Sequence, residues 1–402
     1  MSASAVRSIL PALSPAEQRH SQAVASFIHG ELTASGGWLS FERFMELALY
    51  APGLGYYSAG AIKIGPGGDF TTAPEVSALF SRCVARQCAQ VLRATGGGEI
   101  LELGAGTGRM AASLLGELAE EGVLPERYSI LEVSADLADR QRTHLAGLPP
   151  ALRERIVWLE RLPAKPLRGV MLANEVLDAL PCRRFIWAEE GLREIGVTSG
   201  ERGGNGGAPA DFREQRALPD AALTHACAQI LAALPAPLAA GYISEVCLRV
   251  APWIASLAEC LERGVLLVCD YGLPRRHYYH PQRTHGTLRC HFKQRAHDDP
   301  LINVGVQDIT AWVDFTRVAH SASAAGLAVS GFASQAAFLL ALGIEGLVGA
   351  AADEVELARL AGEARRLLMP EEMGESFKAM ALSRDLDVPL AGFALQDLRH
   401  LL

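Results

Sequence analysis

A glycine-rich turn between an apolar strand and a helix has the clearest chemical potential in this sequence. The strand EILEL (99–103) runs into Gly104, Gly106 and Gly108, and a helical segment follows. Glycine lets a backbone adopt positive φ and approach a ligand without a Cβ clash. At the carboxyl end of the first strand of a doubly wound sheet, such a turn binds ligands, and the next helix offers free N–H groups to an anion. We therefore expect a cofactor to bind here.

The spacing around this turn indicates which cofactor is bound. A dinucleotide site follows G-x-G-x-x-G, whereas here the third glycine comes one residue early and Arg109 occupies the sixth position. Glu102 completes the pattern E-x-G-x-G-x-G, which is typical of loops that bind the methionine and ribose parts of S-adenosylmethionine. Glu132, at the end of the next apolar run, can accept hydrogen bonds from both ribose hydroxyls. The prediction is therefore S-adenosylmethionine, and a nicotinamide oxidoreductase is the less favoured alternative.

The elements that must position these residues alternate along the chain. Short continuous apolar runs separated by helical segments indicate a parallel sheet that is covered on both faces. The predicted fold is α/β, a class I (Rossmann-like) methyltransferase fold with a mostly parallel twisted sheet, an N-terminal helical extension and an insertion. We expect residues 1–95 to form a helical and loop region that closes over the cofactor. The core should comprise 96–196 and 241–402, and the insertion 197–240, with a flexible glycine-rich loop at 201–212.

Composition excludes several other classes. The 402 residues carry a formal net charge of −8, which argues against a dedicated nucleic-acid binder. None of the eight cysteines forms a C-x-x-C pair, so they read as reduced core thiols and not as a disulfide framework or zinc site. The uncharged stretch 321–344 is better explained by a buried strand, a turn and a helix than by a membrane span. Because no secretory signal is evident, the expected location is the cytoplasm.

Beyond the glycine turn, the sequence contains several longer blocks that are specific to one protein family. It resembles the family of the mitochondrial complex I assembly methyltransferase and its bacterial relatives, through blocks that extend from about residue 24 to 345: MELALYAPGLGYYSAG (45–60), GGDFTTAPEVSALF (67–80), ELGAGTG (102–108), LEVSADLADRQ (131–141), ANEVLDALPCRRF (173–185), GYISEVCL (241–248), DYGLPRRHYYHPQRTHGTLRCHF (270–292), QDITAWVDF (307–315) and SQAAFLLALGI (334–344). The resemblance implies methylation of an arginine on a core subunit of respiratory complex I. It also implies a protein substrate as the partner.

An arginine nucleophile is protonated in solution, so carboxylates must hold and polarise its guanidinium. The candidate catalytic acids are Glu175 and Asp178, which follow the fourth strand, and Glu245 beyond the insertion. A helix-capping or surface role is the plain alternative for each acid.

The remaining cofactor candidates lie in two of the family-like blocks. Asn174 should lie at the tip of the fourth strand. Asp69 and Thr71 could bond the methionine amino group or the loop, although a simple Asx turn would explain them almost as well.

Two departures from the family pattern keep another class of function open. Gln294 and Trp312 stand where relatives are expected to have histidine, which favours an assembly chaperone that retains the methyltransferase fold with little catalysis. The histidines between 277 and 297 match no zinc spacing, so no metal is predicted. A bacterial protein would be cytoplasmic, and a eukaryotic one would belong to the mitochondrial matrix.

Overall fold

The computed structural model describes residues 10–59, 68–69, 71–200 and 211–402. The helices, in chain order, are α1 (Pro15–Ala34), α2 (Phe41–Tyr50), α3 (Ala73–Val76), α4 (Ala78–Thr95), α5 (Arg109–Glu120), α6 (Ala135–Leu145), α7 (Pro150–Arg153), α8 (Ala221–Ala233), α9 (Val250–Glu259), α10 (Arg275–Tyr278), α11 (Phe315–Ala324), α12 (Gln335–Ala341), α13 (Ile344–Gly349) and α14 (Glu354–Leu368). The strands are β1 (Trp38–Ser40), β2 (Glu99–Leu103), β3 (Tyr128–Leu131), β4 (Ile156–Leu159), β5 (Leu167–Asn174), β6 (Arg183–Ala188), β7 (Gly191–Ser199), β8 (Phe212–Ala217), β9 (Tyr242–Val246), β10 (Leu261–Leu273), β11 (Arg289–Phe292), β12 (Arg295–His297), β13 (Asp308–Thr310), β14 (Val313–Asp314), β15 (Ala328–Ser334) and β16 (Phe377–Arg384).

The chain divides into two interleaved compact units. We call them by their main sheets: the antiparallel-sheet unit comprises Met1–Phe70, Asp178–Arg249 and Arg275–Asp314, and the parallel-sheet unit comprises Thr71–Leu177, Val250–Pro274 and Phe315–Leu402. These boundaries differ from the predicted division at 95/96, 196/197 and 240/241.

The sheet of the parallel-sheet unit has the strand order β15-β16-β10-β5-β2-β3-β4. Strands β10, β5, β2, β3 and β4 are parallel, and β16 runs antiparallel to both β10 and β15. Their residues are apolar on both faces because helices cover each side, which explains the continuous apolar runs in the sequence. The mostly parallel α/β fold is therefore confirmed.

Residues 73–95 form two helices, α3 and α4, and not one continuous helix. The break occurs at Ser77, whose backbone is extended at φ −161° and whose hydroxyl accepts a hydrogen bond from Leu79 N at 3.1 Å. Serine favours this local bond over helix continuation, so it caps α4 and ends α3. Beyond the break, Arg82 and Arg86 of α4 hold the buried Glu117 of α5.

The antiparallel-sheet unit is built around β1-β7-β6-β9, with β8 paired to β7, and a smaller sheet β12-β11-β13. Its apolar core collects side chains from α1, α2 and both sheets. Strand β1 separates α1 from α2, because Gly36 and Gly37 at positive φ follow α1. Strands of the predicted insertion join this sheet, and most of its predicted loop, 201–210, lies outside the described residues.

Two predictions concern burial: one for the uncharged stretch 321–344 and one for the cysteines. The uncharged stretch 321–344 contains the predicted strand (β15) and helix (α12), and none of the described helices combines the length and apolar character that a membrane crossing requires. All eight cysteines are free thiols, and all except the partly exposed Cys247 are buried, in agreement with the prediction.

Candidate active site

The glycine turn has the backbone conformation that its sequence predicts. Gly104, Gly106 and Gly108 adopt φ of 65°, 55° and 84°. Gly108 is the N-cap residue of α5 and supplies no capping side chain. The first N–H groups of this 12-residue helix are therefore available to a negatively charged ligand group. The turn lies at the carboxyl end of β2, beside the point where the strand order reverses between β2 and β5, which is where doubly wound sheets bind ligands.

Glu132 is tied to this turn by a glutamine that the sequence analysis did not single out. The Gln141 side-chain amide donates to Glu132 Oε2 and to the carbonyl oxygen of Gly106, both at 3.0 Å. Trp158 fixes the amide orientation by donating to Gln141 Oε1 at 3.0 Å. Burial raises the pKa of Glu132, and the bonds from Ser134 and Gln141 oppose that rise. The acid predicted to hold the ribose and the glycine turn thus form one connected unit.

Glu102 lies deeper than its motif position suggests. Its side chain is buried in the sheet and accepts a hydrogen bond from the Tyr128 hydroxyl at 2.7 Å. Burial raises its pKa to about 7, and the hydrogen bond from Tyr128 acts in the opposite direction. A direct ligand contact by Glu102 stays a prediction, and its geometry favours support of the strand beneath the turn.

The tip of β5 is a second fixed point. Glu175 has a left-handed backbone, φ 52°, and its Oε1 accepts hydrogen bonds from Ala73 N at 3.2 Å and from Asn174 Nδ2 at 3.3 Å. Just beyond it, the buried Asp270 accepts a hydrogen bond from Leu177 N at 2.9 Å. Asp270 belongs to a family-like block, but its role in holding this turn depends on a contact that sequence patterns do not reveal.

A further acid meets the glycine turn from α3. The Thr107 hydroxyl donates a hydrogen bond to Glu75 Oε1, and Arg109 Nε lies 3.7 Å from Glu75 Oε2. The Glu75 side chain is only 6% exposed. Sequence reasoning selected Asp69 and Thr71 from this block and missed Glu75. Thr71 lies two residues before α3 and is half-buried.

Two other acids form hydrogen bonds with neighbouring tyrosines within the antiparallel-sheet unit. Tyr56 donates to Asp69 and Tyr57 donates to Asp308, each at 2.8 Å. Burial, followed by the charge of Asp178, raises the pKa of Asp308 to about 7. Asp178 itself is buried. Asp69 also accepts a hydrogen bond from Lys293 N at 2.6 Å, so its described bonds connect it to Tyr56 and to the turn between β11 and β12.

Glu245 and the two departures from the family pattern hold loops of the same unit. Glu245 Oε1 accepts hydrogen bonds from Tyr278 Oη at 2.8 Å and from Thr287 N at 2.7 Å. The Gln294 side-chain amide donates to the carbonyl of Gly68 at 2.9 Å. Trp312 stacks against the Arg283 guanidinium, 5.1 Å from the ring centroid.

The residues of the parallel-sheet unit fit S-adenosylmethionine. The glycine turn leaves room for a ligand, since among the described residues a Cβ built on Gly104 would meet only Val176, at 3.5 Å. The helix α5 offers N–H donors for a carboxylate, and Glu132 offers two acceptor oxygens for a ribose. Strand order, glycine turn and acid together define the class of S-adenosylmethionine-dependent methyltransferases of class I.

Comparison with known proteins supports the same class of enzyme. Residues 83–333 match the family described as S-adenosyl-L-methionine-dependent methyltransferases. A Burkholderia thailandensis protein crystallised with S-adenosyl-homocysteine is 39% identical, with a TM-score of 0.91 over 98% of this chain and 100% of that one. The mitochondrial protein arginine methyltransferases NDUFAF7 of Danio rerio and its Drosophila melanogaster homologue are 27% and 28% identical, over 89% and 94% of this chain and 89% and 92% of theirs.

The chain therefore belongs to this family of S-adenosylmethionine-dependent methyltransferases. The predicted family, enzyme class and cofactor are confirmed. The individual roles given to the site residues stay predictions.

Proposed function

We propose that this methyltransferase modifies an arginine side chain of a protein, with a subunit of a respiratory complex I-type enzyme as the leading substrate. The relatives that match along nearly the whole chain are named protein arginine methyltransferases. The observation that carries the proposal is the buried acid pair Asp178 and Asp308. Each of these carboxylates raises the cost of ionising the other, and a guanidinium would relieve that cost through charge-assisted, bidentate hydrogen bonds.

Methyl transfer from S-adenosylmethionine mainly requires that the methyl donor and the accepting nitrogen are aligned. Bound S-adenosylmethionine supplies a methyl group on a sulfonium, which needs no metal. The protein must hold one guanidinium nitrogen in line with that methyl group and exclude water. We assign the holding of the guanidinium to Asp178 and Asp308 of the antiparallel-sheet unit. A catalytic role for Glu175 stays a separate proposal. One of these carboxylates then accepts the proton that the methylated nitrogen releases. Glu245 acts as a positioning residue for the segment around Thr287.

The proposal is tested by labelling. The full chain is incubated with methyl-labelled S-adenosylmethionine and complex I core subunits that were expressed without the enzyme, and labelled residues are located by mass spectrometry. We expect methylarginine. Asp308→Asn should lower turnover roughly 10- to 100-fold, the value of a charged hydrogen bond, while S-adenosyl-homocysteine affinity stays unchanged. Asp298→Asn is the matched control, because Asp298 is an exposed acid of the same unit.

The outcomes separate the candidate functions. Label on lysine or another residue type would reject arginine as the target but keep the methyltransferase. Tight S-adenosyl-homocysteine binding with no label on any core subunit would favour the assembly chaperone.

Three further predictions remain proposals of ours. Residues 1–95 close over the bound cofactor, with Asp69 and Thr71 contributing to its binding. Asn174 contacts the cofactor from the tip of β5. The protein acts in the cytoplasm of a bacterium, or in the mitochondrial matrix if it is eukaryotic; the NDUFAF7 relatives are named as mitochondrial.

A further inference from the structure

The amino-acid end of S-adenosylmethionine poses a recognition problem that the motif residues do not solve. It is a zwitterion, with an ammonium and a carboxylate on one carbon, so it needs an acceptor and a donor side by side. Glu102 is the acid nearest the glycine turn in sequence. Its carboxylate is directed into the sheet toward Tyr128 and is 2% exposed. Another acceptor must therefore serve the ammonium group, and a second carboxylate would do so most strongly.

Glu75 is placed to be that acid. It lies in α3, which touches the tip of β5 at one end, where Ala73 N donates to Glu175. At its other end, α3 meets the glycine turn, where Thr107 donates to the Glu75 carboxylate. The side chain is largely withdrawn from solvent, which strengthens its interaction with a cation.

The positively charged side chain of Arg109 lies close to Glu75, so the site offers an oppositely charged partner for each group of a zwitterion. Arg109 Nε lies 3.7 Å from Glu75 Oε2, which is longer than a hydrogen bond. Arg109 is also the first residue of α5, so its charge adds to the N–H donors at that helix end. The two side chains thus present one negative and one positive group at the turn that takes the amino-acid part of the cofactor.

We propose that Glu75 accepts hydrogen bonds from the ammonium group of the bound cofactor, and that Arg109 with the first N–H groups of α5 takes its carboxylate. Both residues are binding residues for the cofactor. This inference depends on the cofactor assignment and is independent of the arginine substrate. It assigns recognition of the ammonium group to a residue outside the E-x-G-x-G-x-G motif.

The test compares four ligands by calorimetric titration of the full chain. S-adenosylhomocysteine carries both charged groups, its decarboxylated form keeps only the amine, its deaminated form keeps only the carboxylate, and 5′-methylthioadenosine has neither. Glu75→Gln should weaken the two amine-bearing ligands at least about tenfold and leave the other two unchanged. Arg109→Gln should instead weaken the two carboxylate-bearing ligands. Glu126→Gln, an exposed acid of the same unit, is the control.

A purely structural role of Glu75 gives a different pattern. Thr107→Val removes the hydrogen bond between the turn and Glu75, so a small loss shared by all four ligands isolates that effect. If Glu75→Gln reproduces this uniform loss, or changes no affinity, the ammonium assignment is wrong. If Glu75→Gln fails to fold, Glu75→Asp keeps the charge on a shorter side chain and should still weaken the amine-bearing ligands selectively. A wild-type chain that binds none of the four would reject the inference together with the cofactor.

Discussion

At the scale of single residues, Glu175 combines a candidate catalytic carboxylate with an unfavourable backbone conformation. Its φ of 52° lies in the left-handed region, which residues other than glycine rarely adopt. The surrounding contacts hold it there, since Glu175 N donates to the carbonyl of Cys269 at 2.8 Å and its carboxylate accepts from Ala73 N. Such strain persists where neighbouring structure fixes the backbone, and it is common at functional sites. The left-handed turn re-directs the chain just where β5 ends.

This strain predicts an unusual order of stabilities. Glu175→Gly and Glu175→Ala both remove the carboxylate, but only glycine tolerates the left-handed backbone without cost. Glu175→Gly should therefore be more stable than Glu175→Ala by about 1 kcal/mol in urea unfolding. At Asn174, within the extended β5, the same pair should show the reverse order, because glycine weakens a strand. If alanine is the more stable residue at position 175, Glu175 is not strained.

At the scale of elements, three central strands have a glycine at or near their amino ends that allows unusually close backbone contact. Gly98, Gly169 and Gly264 all have φ between 135° and 140°. A Cβ on Gly169 would overlap the carbonyl oxygen of Glu99, and one on Gly264 would overlap that of Gly169. These glycines lie at the ends of the strands opposite the cofactor turn. They therefore support the sheet and not the ligand.

A substitution in this row should destabilise the fold severely. Gly169→Ala should lower the free energy of unfolding by at least about 3 kcal/mol, because backbone atoms on a neighbouring strand cannot move aside. Gly96→Ala is the control: its φ is 72°, but no atom of the described part of the chain lies within 4 Å of the added Cβ, so only the conformational cost of about 1 kcal/mol applies. Similar unfolding midpoints for the two variants would contradict the packing argument.

The elements of the parallel sheet were predictable because each depends on a local pattern. EILEL coincides with β2, and the next apolar runs coincide with β3, β4, β5 and β10 within a few residues. The glycine turn and Glu132 were predictable for the same reason, because each belongs to a short sequence pattern. The sequence did not predict the roles of Gln141, Glu75 and Asp308. Each acts through a hydrogen-bond partner that is distant in sequence, such as Tyr57 for Asp308. The division into units also escaped prediction, since β6 and β9 resemble core strands until their pairing is known.

At the scale of the whole molecule, buried acids make stability depend on pH. Burial raises the pKa of Glu102 to about 7 from its usual 4.5, so the folded protein retains a proton that the unfolded chain has lost. Stability contributed by this group is therefore present below pH 4.5 and falls as the pH rises towards 7. Asp308 acts in the same direction.

Glu102→Gln provides the measurement, because glutamine does not titrate. Relative to the wild type, this variant should gain about 2.5 kcal/mol in unfolding free energy between pH 5 and pH 8. Denaturant unfolding of both proteins across this range gives the difference directly. The glutamine amide oxygen can still accept the hydrogen bond from the Tyr128 hydroxyl, so the variant removes the titration and keeps that contact. A difference that stays constant with pH would contradict the raised pKa.

The position of β16 has a consequence for synthesis on the ribosome. This strand pairs with β10 on one side and β15 on the other, yet it is translated after both of them. Until residues 377–384 emerge, β10 presents an unpaired apolar edge, and β15 has no place in the sheet. A nascent chain with such an edge is prone to pair with other strands. Newly made copies therefore carry an aggregation-prone edge from the synthesis of β10 until β16 emerges, and the sheet is completed only in the last stage of translation.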